Sequence, residues 1–508
     1  MLTDEMLTLV GPVAFEVTGS GISIGCGDDR TFEVPDADVL EWLTAFSAAR
    51  NTATGAGRLY AWRGSQTAGE VRKRWGVVMR GLTCVWTLQR SLNPGTVIAE
   101  AADAGKNRGA GWHRTPLQTA QLVAELTARY PAADRQLAKL DATIEDLWRW
   151  PAQRGYLVDQ KFIAEKLAEA ERVVRDSIFN WKVDLTQTDA PVHEWLRSWQ
   201  IEITDQNGYP SLDSEHHSSA VVPHKSERAW AEFQRIRKAG NIRAKLTEIK
   251  RATVRGRIHP QILSIGAKTG RQASKLPALQ NVTPSLRQVL LPDPGHVLIG
   301  VDLDRVEPRV ICALSGDPAL RAAVEGDIYQ VLADRIGVDR STAKTTLLAM
   351  MYGEGAGRLS RKLGIEVTAA KQISQNLLAG YPTMAAWRQE VSRNAIAGKE
   401  LRTGYERLLP PTPLDSKRPG KHLGYMAVNW VVQGTAADVF KRLTIAAAER
   451  LPQDALWLPI HDELLVQVPA ADAEATRTVL AEVFSTTFRG VPITGTPTAA
   501  QTKWVKTY

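Results

Sequence analysis

Short runs in which apolar and polar residues alternate open the chain. VAFEVTG, from Val13, and GISIGCG, from Gly21, predict strands of an α/β unit within residues 1–118. From Thr119 to about Arg251 the apolar positions recur with a helical period, as in LVAELTARY, IEDLWRWPAQRG and KFIAEKLAEAERVVRDSI. The stretch ITDQNGYPSLDSEHHSS breaks this region with turn residues. His216 and His217 lie in it with no second ligand pair nearby, so a solvated turn is expected there and not a metal site.

Beyond Arg257 the pattern changes again. GHVLIGVDLD is a continuous apolar run, a buried strand that feeds a helix. DRSTAKTTLLAMMYG and VVQGTAADVFKRLTIAAAERL read as helices, and ALWLPIHDELLVQV as a hairpin of two apolar strands. Pro308, in the helix after GVDLD, is tolerated because it falls in the first turn, where its missing N–H has no partner to lose.

Composition narrows the class. At 508 residues the chain exceeds one ordinary hydrophobic core, so several domains are expected. Its 44% hydrophobic and 23% charged residues suit a globular protein, and no apolar run reaches the roughly 18 residues of a membrane span. The N-terminal MLTDEMLTLVGP carries acids where a signal peptide would carry Lys or Arg, so a cytoplasmic location is expected. Cys26, Cys84 and Cys312 are sparse and far apart, which argues against a disulfide framework. A net charge of +8 and a pI near 9.3 suit a polyanionic partner without naming one. Eleven of the fifteen Trp residues fall at or before Trp230, and core packing is preferred to base stacking for them.

Three constellations carry chemistry. The apolar strand HVLIGVD delivers Asp302 at its exit. The hairpin LWLPI-HDE-LLVQV places His461, Asp462 and Glu463 at its turn; taken alone, that is an ordinary polar turn. The helix from Arg340 changes the picture. Arg340, Lys344, Leu348 and Tyr352 recur at spacing four, drifting only about 40° per step, so they share one stripe. The cations can grip a triphosphate while the apolar residue and the ring meet sugar and base. Carboxylates for Mg²⁺ facing such a helix amount to a nucleotidyl transferase site, in which two metals clamp an in-line displacement.

Here a family resemblance enters. VDLDRVEPRV resembles motif A of family A (DNA polymerase I-like) DNA polymerases, DRSTAKTTLLAMMYG motif B and LPIHDELLVQV motif C. VNWVVQGTAADVFKR is similar to the family's asparagine-to-glutamine helix, and TGRQASKLPALQNV to its stretch that grips the template–primer minor groove. QTKWVKTY looks like the family's Trp-containing tail, and the resemblance spans roughly residues 120–508.

The resemblance implies an α/β, multi-domain α+β right hand with an antiparallel-sheet palm, helical fingers and thumb. It sets a degenerate, RNase H-like 3′–5′ exonuclease domain at 1–118, thumb and palm entry at 119–256, palm at 257–320, fingers at 321–400 and palm again at 401–508. It implies template-directed DNA synthesis from dNTPs on primer–template DNA, two Mg²⁺ ions (Mn²⁺ as a substitute), a monomer, and a nucleoid-associated location.

By the same resemblance Asp302, Asp462 and the backbone carbonyl of Leu303 hold metal, with Glu463 in support. Arg340 contacts the γ-phosphate; Lys344 binds the α-phosphate side and protonates pyrophosphate. Glu307 is the steric gate against a ribose 2′-OH, Leu348 lies by the sugar, and Tyr352 stacks beside the nascent pair. His461 holds the primer end, while Arg271, Gln280, Asn281, Asn429 and Gln433 feel minor-groove acceptors, which every correct pair presents.

Departures from the family sharpen the expectations. Leu348 replaces an aromatic residue, and Leu303–Asp304–Arg305 replaces Tyr-Ser-Gln. Asp304 either recruits another cation or faces solvent, and solvent is preferred. Tyr425 stands where an Arg touches the template–primer, so stacking replaces charge there. In the N-terminal region Glu16 has Thr18 where a second acid is needed, and Trp86 and Thr87 stand where another is expected. A non-proofreading domain is therefore expected, unless Asp28 or Asp29 compensates. The length leaves no room for a 5′-nuclease domain. A non-catalytic DNA-binding scaffold, and a polymerase specialised for RNA templates, end extension or damage bypass, remain as alternatives.

Overall fold

The computed structural model describes residues 13–26, 30–43, 59–61, 67, 70–71, 74, 82–84, 116–118, 120–121, 132–204, 210–212, 217, 220–351, 355–414, 423–452 and 454–505. The segment LVAELTARY and residues Asp28, Asp29, Trp86, Thr87, His216 and Tyr352 lie outside them.

The N-terminal strands form a five-stranded sheet in the order Thr31–Pro35, Gly21–Cys26, Val13–Val17, Leu59–Ala61, Leu82–Cys84. The first three run antiparallel to one another, and the last two run parallel to Val13–Val17. Val13, Phe15, Ile22, Ile24, Val34 and Trp42 give this unit its own core.

A helical region follows. Helix Gln160–Trp181 starts where Asp159 accepts from the N–H of Phe162 at 2.9 Å and stops at Lys182, whose φ is +57°. It packs along helix Glu227–Ala252. At one end of this pair Trp181, Trp195, Trp199, Trp230 and Phe233 stack into a separate cluster, with centroids 5.3–6.2 Å apart. These Trp residues serve packing, as the sequence suggests. His217 departs from the solvated turn expected for it. Its ring sits 5.4 Å from Trp230 and 5.6 Å from Phe233, because an imidazole covers apolar rings at lower cost than it leaves them wet.

The expected palm is a second five-stranded sheet, antiparallel throughout. Its order is Leu456–Ile460, Glu463–Pro469, His296–Leu303, Val491–Pro497, Ser485–Phe488. Strand His296–Leu303 is central and nearly all buried, which explains its unbroken apolar run. Helix Tyr425–Arg450 packs between this region and its surroundings and is buried on almost every face. Gly434 permits that. A Cβ there would lie 2.7 Å from Thr403 Cγ2 and 2.9 Å from the Thr269 carbonyl oxygen.

The expected fingers are helices Pro318–Glu325, Ile328–Ile336, Arg340–Met351, Ala356–Leu363, Val367–Gly380 and Pro382–Ile396. Acidic caps start the first three: Asp317 accepts from Leu320 N, Asp327 from Tyr329 N and Gln330 N, and Asp339 from Ser341 N and Thr342 N, all within 2.9–3.3 Å. Gly337 and Gly364 end two of the helices in the left-handed region, at φ +71° and +65°. One apolar core joins these helices, the palm sheet and the base of the thumb, from Ile144 through Trp504. Among the described residues no helix is long and apolar enough to cross a membrane.

Candidate active site

The two acids meet because the palm strands pair in one particular register. Asp302 stands opposite Glu463 on one neighbouring strand and Thr496 on the other. The turn joining Leu456–Ile460 to Glu463–Pro469 is His461–Asp462, with Ile460 paired to Glu463. His461 adopts φ +57°, the sense a tight two-residue hairpin demands at its first position. The N–H of Leu303 donates to the Asp462 carbonyl at 3.3 Å, so the backbones carrying Asp302 and Asp462 lie side by side. Both acids are half-buried.

Among the described residues no group of three or more His, Cys, Asp or Glu could hold a metal ion. Two hard carboxylates fit Mg²⁺ nonetheless, since that ion is commonly held by one or two carboxylates and completes its shell with water and substrate phosphate. Glu463 is held differently. It is buried, its Oε2 lies 3.6 Å from Arg287 Nη1, and Arg287 lies over the ring of Trp504 at 4.8 Å. Gly300 leaves room for that carboxylate, because a Cβ there would sit 2.9 Å from Glu463 Oε1.

Glu307 is buried at the start of helix Val306–Ser315 and accepts from Arg271 at 2.5 Å. Arg271 therefore faces Glu307 in this structure. Around His461, desolvation by the packed hairpin, followed by the Arg271 and Arg287 cations, lowers the imidazole pKa, although part of the ring meets solvent. Asp304 was expected to face solvent; instead it accepts from the Thr494 and Thr496 hydroxyls, each at 3.3 Å, because the neighbouring strand places both beside it. Gln280 is internally engaged: its carbonyl accepts from Ser274 N at 2.6 Å and its amide donates to the Pro459 carbonyl at 3.2 Å. Asn281 is exposed, as is Tyr425; Asn429 and Gln433 are the half-buried positions that continue the Tyr425 stripe along a buried helix.

On the fingers, Arg340 and Lys344 are exposed and Leu348 is half-buried against the main core. Both cations reach the ring of Tyr329, at 5.5 and 5.8 Å. Arg340 Nε also lies 2.8 Å from Asp327. Arg305, in the turn just after Asp302, donates to the Gly326 carbonyl at 3.0 Å and approaches Asp327 at 3.8 Å. That bridge ties the carboxylate-bearing strand end to the cationic end of the fingers helix.

Sequence reasoning missed Arg287, Asp327 and Tyr329. It also missed a buried lattice beneath the site. Arg407 bonds Asp141 at 2.5 and 2.9 Å and Asp438 at 2.6–2.7 Å, and Lys441 reaches Asp141 at 2.5 Å. All four are 3% exposed or less. Asp327 carried a legible cap signal, since an acid precedes an apolar helix; nothing local announced its pairing with Arg340.

Residues 198–504 match the family model described as DNA polymerase family A. The chain is 27% identical over 404 residues to a DNA polymerase of Mycobacterium phage L5, covering 77% of this chain and 66% of the relative. It is 32% identical over 249 residues to the thermostable DNA polymerase I of Thermus aquaticus, covering 45% of this chain and 30% of the relative. The chain thus spans about two-thirds of the length of the phage relative and less than a third of the bacterial one. Its fold matches a solved structure described as the POL domain of Pol1 from M. smegmatis in complex with DNA primer-template and dNTP, at TM-score 0.79 and 20% identity, covering 99% of this chain and 96% of that one. With the family model covering more than half of its length, the chain belongs to DNA polymerase family A.

Proposed function

We propose that this chain is a template-directed DNA polymerase that adds dNTPs to a primer 3′-hydroxyl by two-metal nucleotidyl transfer, without proofreading. One observation carries the reading: Asp302 and Asp462 share a sheet end, and the Arg305–Asp327–Arg340 bridge brings the cationic fingers helix to that same end. Asp302, Asp462 and the Leu303 carbonyl would hold Mg²⁺, which would supply activation of the primer hydroxyl and charge stabilisation for the leaving pyrophosphate.

The chain's own residues do the rest. Arg340 and Lys344 hold the triphosphate, and Lys344 supplies a proton to pyrophosphate as it leaves. Buried Glu307, steadied by Arg271, fills the space a 2′-hydroxyl needs. Leu348 and Tyr352 border the sugar and the nascent pair. His461, whose pKa is lowered by desolvation and the nearby Arg271 and Arg287 cations, meets the primer end. Asn281, Tyr425, Asn429 and Gln433 line the path of the duplex, and Gln280 positions the loop that carries Asn281. Primer extension with Mg²⁺ and four dNTPs tests the reading. Wild type should extend, and Asp302→Ala and Asp462→Ala should lose extension; equal extension by all three would refute it.

The N-terminal sheet, with strands parallel and antiparallel to Val13–Val17 in the order given above, suits an RNase H-like unit. Arg74 argues against a working nuclease there. Its guanidinium donates to the carbonyls of Thr18 and Gly19 and pairs with Asp36 at 2.6 Å, so a fixed cation stands at the end of that strand. A mismatched primer incubated with Mg²⁺ and no dNTPs should stay intact; shortening would show an active nuclease.

A further inference from the structure

Asp327 divides its two oxygens between the fingers and the neighbouring palm turn. Oδ2 takes Arg340 Nε at 2.8 Å. Oδ1 caps helix Ile328–Ile336 through Tyr329 N at 3.1 Å and Gln330 N at 3.3 Å, and lies 3.8 Å from Arg305 Nη1. Arg340 and Lys344 both lie against the Tyr329 ring, which lines the same corner. Two cations, Arg340 and Arg305, therefore meet at one carboxylate, with Lys344 beside them on the Tyr329 ring. The Arg340 bond lowers the Asp327 pKa further, so the carboxylate is ionised at any working pH.

Such a corner resembles an anion site already filled by the protein's own anion. Arg340 cannot bond Asp327 and a triphosphate oxygen through the same N–H at once. Resting on the polymerase reading, we infer that Asp327 is a positioning residue: a resident anion that holds Arg340, and with it Arg305, across the fingers–palm seam until an incoming triphosphate displaces it. Two consequences share one sign. Asp327 holds the Arg340 Nε–H that a triphosphate oxygen would otherwise take, and its carboxylate repels the incoming anion. Asp327 thereby weakens triphosphate and pyrophosphate alike, and favours departure of the product over its retention. Arg305 acts oppositely, adding a cation where the family has a neutral glutamine. The strand after Asp302 turns sharply to aim it, with Arg305 at φ +52°.

The experiment separates charge from capping. Asp327→Asn and Asp327→Ser both keep a good N-cap while removing the charge. Inorganic tripolyphosphate is titrated against the full chain and its variants at low and high salt, with thermal midpoints as the folding control. Both variants should bind it about two- to fivefold more tightly than wild type, the range set by loss of one exposed ion pair. High salt should erase the difference. Arg305→Gln should bind more weakly. In primer extension, both Asp327 variants should show a lower KM for dNTP and stronger inhibition by pyrophosphate, with the change in KM exceeding that in kcat. Unchanged or weaker tripolyphosphate binding by a folded Asp327 variant overturns the proposal, because a purely structural acid would give that result. The binding arm needs no catalysis. A wild type that binds tripolyphosphate as described but extends no primer would sink the polymerase reading and leave this one standing.

Discussion

At the scale of single residues, the Arg271–Glu307 pair joins the residue proposed for sugar choice to one proposed for duplex contact. Glu307 is 8% exposed, and removing Arg271 would leave a buried carboxylate without its cation. Glu307→Ala should raise ribonucleotide insertion. Arg271→Ala should do so as well, and the double variant should fall short of the product of the two effects, because residues in contact are not additive. Competitive insertion of matched rNTP and dNTP measures all three; a strictly multiplicative double variant would break the link. Asp302 and Asp462 were legible because one ends an apolar strand and the other sits in the turn of an apolar hairpin, while Glu307 was reached through the family resemblance. Their partners were not. Arg271 sits in an irregular segment and Arg287 in the short 3-10 helix Pro284–Val289, where apolar periodicity says little about what a guanidinium will meet.

Among the elements, the fingers show how far local signals reach. Acid-then-apolar starts and glycine stops mark several helix ends in the sequence itself, and helix Arg340–Met351 follows its spacing-four stripe. What the pattern could not reveal is Asp317's second role. Fully buried, it accepts from Leu320 N at 2.9 Å and also from Met384 N at 3.0 Å, starting one helix and locking another against it. Asp317→Ala should cost about 2 kcal/mol, the scale of lost hydrogen bonds to a charged group, measurable as a shift of the urea midpoint. A change under about 0.5 kcal/mol would mean the two N–H groups find other partners.

Across the whole molecule, the Asp141–Arg407–Asp438–Lys441 lattice joins helix Ala132–Arg154 to helix Tyr425–Arg450. Burial alone would raise the Asp141 pKa, but Arg407 and Lys441 outweigh it and bring it to about 2. A depressed carboxyl contributes stability above its unfolded value of 3.8 and loses it as the pH falls towards 2. Wild type should therefore weaken steeply across that window, and Asp141→Asn should show a smaller slope there. At neutral pH that variant should be about 3–5 kcal/mol less stable, since it strands buried cations. Denaturant titration across pH reads both. Duplex affinity should also fall linearly on a log–log plot against salt, losing about 10³–10⁵-fold between roughly 50 and 200 mM if six to ten phosphates are contacted. Fluorescence anisotropy with labelled primer–template measures it, and a flat response would contradict phosphate contacts by a chain of net charge +8.

The register of the palm sheet also has a bearing on time. Asp302 is flanked by strands that leave the ribosome long after it, and Gln501 bonds Leu298 in both directions near the end of the chain. The fingers and the base of the thumb can collapse early, but Asp302 and Asp462 remain strangers until strand Glu463–Pro469 has been made. On the proposed reading, a nascent chain that lacks those strands should not act as a polymerase on nearby nucleic acid. Activity should switch on late and at once, when the closing strands zip into place.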